Sequence, residues 1–234
     1  MPFVDRDQAG HALGEWLGRM ALVDPVVLAL PRGGVPVGYQ VAAVLGAPLD
    51  VIVVRKLGAP FQRELAMGAI GEGSVRVLDD DVLLACGLTD EEVDATEARE
   101  RRELERRVRQ YREGAPRIDL SGRTAVVVDD GMATGSTARA ACSVARAQGA
   151  GYVVMAVPVA SGHAVAQLEE VSDAVVVLEQ PERFYAVGQW YHRFDQTSDA
   201  DVVALLAQAR ARTSHHTADR PPSEEERGGG PNAP

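Results

Sequence analysis

Ala125-Val-Val-Val-Asp-Asp-Gly-Met-Ala-Thr-Gly-Ser-Thr137 sets an unbroken aliphatic run, two acids, a loop of small and hydroxyl residues and a helix start in one line. Apolar residues without alternation describe a strand buried on both faces, which belongs to a parallel sheet covered by helices. Ligands of open α/β sheets bind beyond the carboxyl ends of the strands, and Asp129 and Asp130 stand at that end. Gly131, Met132, Ala133, Thr134, Gly135, Ser136 and Thr137 can then wrap backbone N–H groups and hydroxyls around a phosphate, aided by the positive end of the following helix. This is not a Walker A loop, since no Gly-Lys-Ser/Thr follows, and it is not Gly-x-Gly-x-x-Gly. Two carboxylates directly before an anion cup repel the anion unless they have another task. Carboxylates accept strongly from hydroxyls, so Asp129 and Asp130 suit a vicinal diol, and a diol beside a phosphate is the pattern of ribose 5-phosphate.

Working outward, short Val/Ile/Leu runs repeat the strand pattern at 26–30, 51–54, 153–157 and 174–178, and stretches of helical length occupy 35–45, 137–148 and 162–171. The alternation predicts a doubly wound α/β fold. An insertion over about 68–116 interrupts it. Residues 68–79 alternate around Gly71 and Gly73 like a hairpin, and Thr89 with Glu92 forms a capping box opening a charged helix that runs to about Tyr111, before Gly114 and Pro116. Its Glu/Arg pattern predicts a solvated helix held by i,i+4 pairs. One domain is expected over 1–212. Residues 213–234 lack the apolar side chains that offset ordering entropy and are expected to form a disordered tail, in which adjacent His215 and His216 have no fixed partner for a metal.

At 234 residues and 46% hydrophobic content, the chain is long and apolar enough for one well-filled core. With 24 Lys plus Arg against 34 Asp plus Glu, the formal charge of -10 opposes a polyanion, so neither nucleic acid nor a membrane surface is an expected partner. Any bound phosphate must be met by local cations and dipoles. Cys86 and Cys142 sit in apolar helical patterns without metal-ligand spacing and are expected to be buried reduced thiols. No signal-peptide pattern opens the sequence, and the longest apolar stretches fall short of the roughly 20 residues that cross a bilayer, so a cytoplasmic location is expected.

The aliphatic run, Asp129-Asp130 and Thr134-Gly135-Ser136-Thr137 resemble the signature of the type I phosphoribosyltransferases. The resemblance implies a doubly wound, mainly parallel sheet with a small C-terminal hood, here about 179–196. It implies that the acids hold the ribose 2- and 3-hydroxyls, that the loop holds the 5-phosphate, and that the donor is phosphoribosyl pyrophosphate. Mg²⁺ would travel with that donor, reaching Asp129 and Asp130 only through water and ribose hydroxyls. Pro60, Glu64, Ala66 and Gly68 are similar to a narrower phosphoribosyltransferase-like subgroup.

Further motifs fit the same reading. Leu30-Pro-Arg-Gly-Gly-Val-Pro36 follows the first strand: Arg32 offers a fork to phosphate oxygens, and Gly33 and Gly34 permit close backbone approach or an unusual peptide geometry. The resemblance assigns this loop, with Lys56 and Arg55 at the end of the second strand, to pyrophosphate. Residues 57–68 follow neither period and match the family's flexible lid, where Arg63 would clamp pyrophosphate and Glu64 would help position the base. Phe184 and Tyr185 offer aromatic faces to a planar base, against a core-sealing strand with Trp190 and Phe194 inward. His163 reads as a surface residue at a helix start. Where purine enzymes of the family place a Lys, this chain has Val157-Pro-Val-Ala-Ser161, which points away from a 6-oxopurine. The expected activity is Mg²⁺-dependent transfer to a nucleobase or related nitrogen acceptor with release of pyrophosphate, by a homodimer. The alternative is a non-catalytic regulator that senses phosphoribosyl pyrophosphate or a nucleotide. A hydrolase using Asp129 and Asp130 as nucleophile and acid/base fits less well beside the phosphate cup.

Overall fold

The structure, a computed structural model, describes residues 2–218, without the side chains of residues 63, 64 and 213–218. In chain order the elements are α1 (Arg6–Leu17), β1 (Pro25–Ala29), α2 (Gly34–Leu45), β2 (Leu49–Val51), β3 (Arg55–Ala59), β4 (Gln62–Ile70), β5 (Arg76–Leu78), α3 (Asp80–Cys86), α4 (Asp90–Arg112), β6 (Thr124–Val128), α5 (Ser136–Ala147), β7 (Tyr152–Val159), α6 (Gly162–Leu168), β8 (Ala174–Glu179), a 3-10 turn (Val187–Trp190) and α7 (Asp199–Ala218).

Five strands form the central sheet in the order β2-β1-β6-β7-β8, every pair parallel. Successive side chains of a strand point to opposite faces, so β1 and β6 serve two cores. Val27, Ala29, Val126 and Val128 pack under α1, α2 and α7, while Val26, Leu28, Ala125 and Val127 pack under α5 and α6. Burying each Val or Leu stabilises the fold by roughly 1.5–3 kcal/mol relative to exposure. The expected doubly wound α/β fold is present. At its carboxyl edge Ala29 is registered with Val128, so the loops leaving β1 and β6 emerge side by side, while β7 runs on past Ala156 to Val159 beside the loop after β6.

Several expectations need correction. Strand β2 ends at Val51 because its partner β1 ends at Ala29, and Arg55 and Lys56 open β3 instead of closing β2. Residues 57–68, expected as an irregular lid, belong to the antiparallel sheet β3-β4-β5. Register shifts at Leu57/Gly58 and Gly58/Ala59 break the two-residue alternation that reveals a strand. Gly68 pairs with Leu78, in keeping with a hairpin over 68–79. Cys86 is only half-buried, whereas Cys142 is buried and its thiol is pushed up to about 12 by that burial. Helix α7 crosses residue 212 and reaches Ala218, with Val202, Leu206 and Ala209 buried along one stripe. From residue 219 the expected tail lies outside the described residues.

Helix α4 has the expected capping box, Thr89 N–H donating to Glu92 Oε2 at 3.0 Å and Glu92 N–H to Thr89 Oγ1 at 3.3 Å. It is not merely solvated. Val93, Leu104 and Tyr111 are buried, a stripe too sparse to stand out among the charges. Its last turn carries an ion network into the interior: Arg112 donates to Asp50 Oδ2 at 2.5 Å, to the Val51 carbonyl at 3.1 Å and to Glu72 Oε1 at 2.7 Å. Asp50 also accepts from the Ile118 N–H at 3.1 Å. Burial raises the carboxyl pKa of Glu72, with Arg112 opposing. The network ties α4 and the second sheet to β2. Arg112→Ala leaves Asp50 buried without its cation and is expected to lower the unfolding free energy by about 3–5 kcal/mol; denaturant melts of the wild type and the variant check the loss.

Candidate functional site

Asp129 and Asp130 follow β6, and the loop behind them is pinned to β7. Met132 N–H donates to the Val159 carbonyl at 2.9 Å, Ser161 N–H to the Met132 carbonyl at 3.0 Å, and Ser161 Oγ to the Ala133 carbonyl at 2.7 Å. The Met132 side chain is buried in the core, so this residue, expected among the phosphate ligands, serves as the loop's anchor. Ala133, Thr134, Ser136 and Thr137 are exposed around the bend, and Thr134 Oγ1 lies 3.4 Å from Ser136 Oγ. Gly135 caps α5 at φ 74°, a backbone conformation that favours glycine, and the first N–H groups of the helix, which have no intrahelical partners, face the bend. Such a bend has the donors that a phosphate requires.

Beside it lies the loop after β1, whose Pro31–Arg32 peptide is cis. A Cβ on Gly33 would overlap Asp130 Oδ2, and one on Gly34 would stand 2.7 Å from the Val128 carbonyl oxygen and 2.9 Å from Asp129 Cα. The two loops are therefore in contact along the acid pair, and only residues without side chains allow it. Arg32 is half-buried and close enough to α4 for its charge to act on Tyr111. Lys56 opens β3 opposite Ala69 and borders the cavity that Pro31 and Thr137 also line. Arg55 is turned to α4, donating to Glu100 at 2.5 Å and 3.0 Å. Arg63 and Glu64 have backbone places in β4, but their side chains lie outside the described residues.

The hood brings contacts that nothing in the sequence announces. Arg6, at the start of α1, donates through Nε to Asp130 Oδ2 at 2.8 Å and through Nη1 to the Asp195 carbonyl at 2.7 Å, and its guanidinium lies 3.8 Å over the Phe194 ring. Tyr191, not Trp190 or Phe194, is the buried aromatic; it stacks on Phe194 at 5.0 Å and its hydroxyl donates to the Asp130 carbonyl at 2.6 Å. Phe3 bridges to Tyr191, so the first residues of the chain help build the hood. Phe184 is half-buried and Tyr185 is 77% exposed, available as a face for a ligand but not held by packing. His163 is exposed at the start of α6, its ring nitrogen 3.1 Å from Gln167 Nε2.

Burial and then the charge of Asp130 push the Asp129 carboxyl well above the usual carboxylate range. Burial raises Asp130 too, while Arg6 pulls it back. Asp129 Oδ1 accepts from the Asp130 N–H at 2.9 Å. Among the described residues no three His, Cys, Asp or Glu side chains converge to cage a metal. The hard oxygens of the acid pair fit a Mg²⁺ held through water and ligand hydroxyls.

An acid pair, a hydroxyl-lined bend at a helix start and a cation-bearing loop thus meet at one sheet edge, in an α/β protein whose candidate site lies beyond the strand ends. The phosphoribosyl transferase domain family matches residues 11–195, and the chain belongs to that family. It is 55% identical over 207 residues to two provisionally named phosphoribosyl transferases from strains of Mycobacterium tuberculosis, MT0597 and Rv0571c. Those matches cover 88% of this chain and 47% of each relative, so the chain spans about half the length of the curated relatives it matches. It is also similar to the crystal structure of TT1426 from Thermus thermophilus, at 45% identity and a TM-score of 0.84, covering 89% of this chain and 99% of that one. No helix among the described residues is long and apolar enough to cross a membrane.

Two outcomes follow from the contact of the loops. Gly34→Ala meets backbone and is expected to lose about 1–3 kcal/mol of stability, more than Gly33→Ala, whose obstacle is the movable Asp130 carboxylate; paired thermal melts check the order. Because the Asp129 pKa is raised above the ~3.9 of an unfolded Asp, its neutral form stabilises the fold below that value and the stabilisation is lost as pH rises through the raised pKa. Asp129→Asn is therefore expected to melt higher than the wild type at about pH 8, with the advantage vanishing toward about pH 4, a difference that thermal melts across this range would read.

Proposed function

We propose that this protein transfers the 5-phosphoribosyl group of phosphoribosyl pyrophosphate to a nitrogen acceptor, a nucleobase or a related amine, and releases pyrophosphate. The observation that supports this reading is the contact of Gly33-Gly34 with Asp129-Asp130, which brings the loop after β1 against the acid pair that opens the loop after β6.

In the reaction the bond from the anomeric carbon to the pyrophosphate oxygen breaks and a bond to the acceptor nitrogen forms. The pyrophosphate keeps the bonding electrons, and the acceptor nitrogen gives its proton to water or to a nearby base. The anomeric carbon passes through an oxocarbenium-like state, as in glycoside chemistry. No covalent nucleophile is needed. Asp129 and Asp130 accept from the ribose hydroxyls and fix the ring, the N–H groups and hydroxyls of residues 131–137 hold the 5-phosphate, and Arg32 and Lys56 stabilise the charge growing on the leaving group. Mg²⁺ bound with the donor would neutralise pyrophosphate charge. Tyr185 and Phe184 would cover the acceptor, and the clamping and base-positioning roles that the family resemblance gives Arg63 and Glu64 belong to the same reading. Arg6 holds Asp130 toward the hood, so the ribose hydroxyls compete with or share that carboxylate.

Cytoplasmic action as a homodimer completes the proposal. The test follows pyrophosphate release from phosphoribosyl pyrophosphate and Mg²⁺ with a panel of bases and amines. Release that depends on one acceptor and falls about 100-fold or more in Asp130→Asn is expected. Donor binding without release with any acceptor favours the sensor, and no donor binding at all sinks both readings.

A further inference from the structure

The long helix α4 is an insertion outside the central sheet, and the mechanism above gives it no task. Yet it walls a cavity of about 490 Å³, within the range of small-ligand sites. Pro31 of the loop after β1 and Thr137 of the bend border this cavity on one side, Arg55 and Lys56 of β3 on another, and Arg99 and Arg107 of α4 on a third. The residues that border it include four cations and one carboxylate, Glu100, in a chain whose formal charge is -10. Glu100 answers Arg55 and Arg99, and Glu103 answers Arg107, so what α4 still offers an anion is the outer N–H groups of Arg99 and Arg107.

The side chains on α4 are placed for that. Arg99 and Arg107 are eight positions apart, on one face of the helix. Each uses only Nε on a carboxylate, Arg99 with Glu100 at 3.3 Å and Arg107 with Glu103 at 2.8 Å. Their terminal N–H groups have no hydrogen-bond partner among the described residues, which leaves two guanidinium forks for phosphate oxygens. The helix is also held firmly. Arg112 locks its end to Asp50 and Glu72, and Tyr111 donates to Asp199 of α7 at 2.8 Å. Burial and then Asp199 push the Tyr111 hydroxyl up to about 12, so it stays a donor.

We propose that α4 forms the outer wall of the pyrophosphate subsite, with Arg99 and Arg107 as binding residues for the phosphate farther from the ribose. The inference rests on the transferase reading for the identity of the anion. It makes the insertion part of the active cleft: the Arg32 loop meets the inner phosphate, and α4 meets the outer one.

The double variant Arg99→Gln/Arg107→Gln tests this by calorimetric titration with magnesium pyrophosphate and, separately, with ribose 5-phosphate. Both side chains are substantially exposed, 53% for Arg99 and 36% for Arg107, so folding is preserved, and a thermal melt verifies it. The expected result is a loss of pyrophosphate affinity of about tenfold or more with ribose 5-phosphate affinity unchanged, and partial recovery in Arg99→Lys/Arg107→Lys. Equal pyrophosphate affinity in variant and wild type overturns the assignment, as does an equal loss for both ligands or a wild type that binds no pyrophosphate. A wild type that binds pyrophosphate through α4 but ignores ribose 5-phosphate sinks the transferase reading and leaves the subsite standing.

Discussion

Two glycines pressed against two carboxylates set the shape of everything else at the sheet edge. Because β1 and β6 are neighbours and end in register, their loops compete for the same space, and any side chain at Gly33 or Gly34 would occupy the place of an acid or of the backbone behind it. The contact brings a loop suited to one end of a ligand against a loop suited to the other. Catalytic strength in group transfer comes largely from holding reactants in line, and in the proposed transfer that alignment would rest on backbone, the least adaptable part of the chain.

The arrangement works against stability. Two carboxyl groups crowd each other in a partly desolvated corner, and both titrate above their ordinary range. Neighbouring groups offset the strain. Arg6 gives Asp130 a cation, Tyr191 holds its carbonyl, and Phe3 and Phe194 pack against Tyr191. A site that binds sugar hydroxyls needs acceptors with unsatisfied capacity, and such groups are tolerated only where rigid neighbours prevent them from collapsing onto each other. The N-terminal segment and the hood, far apart along the chain, do this together.

Positive charge is placed under a similar constraint. For an acidic protein to bind a polyphosphate, as proposed, its overall field is of no help and cations must be concentrated locally. Cations of β3 and α4 border one cavity beside the β1 loop, and α4 is fastened through the buried Arg112 network. The antiparallel sheet and α4 are thus a second layer laid across the edge of the first.

How much of this is legible in the sequence depends on the range of each interaction. The aliphatic runs, the acid pair, the glycines after β1, the helix expected from residue 137 and the capping box at Thr89 are local patterns, governed by neighbours a few residues away, and they suffice for the doubly wound fold and for proposing where its cleft lies. The end of β2 is not written locally, because a strand stops where its partner stops, and the β3-β4 pairing is hidden because bulges erase its period. Helix α4 reads as solvated because a sparse apolar stripe is lost among charges. Arg6 reaches Asp130 across 124 positions, Tyr111 reaches Asp199 across 88, and Arg112 reaches Asp50 across 62. No spacing encodes such pairs: which charge meets which is decided only when the packed layers bring distant segments together, since electrostatic and hydrogen-bond energies depend on separation in space and not along the chain.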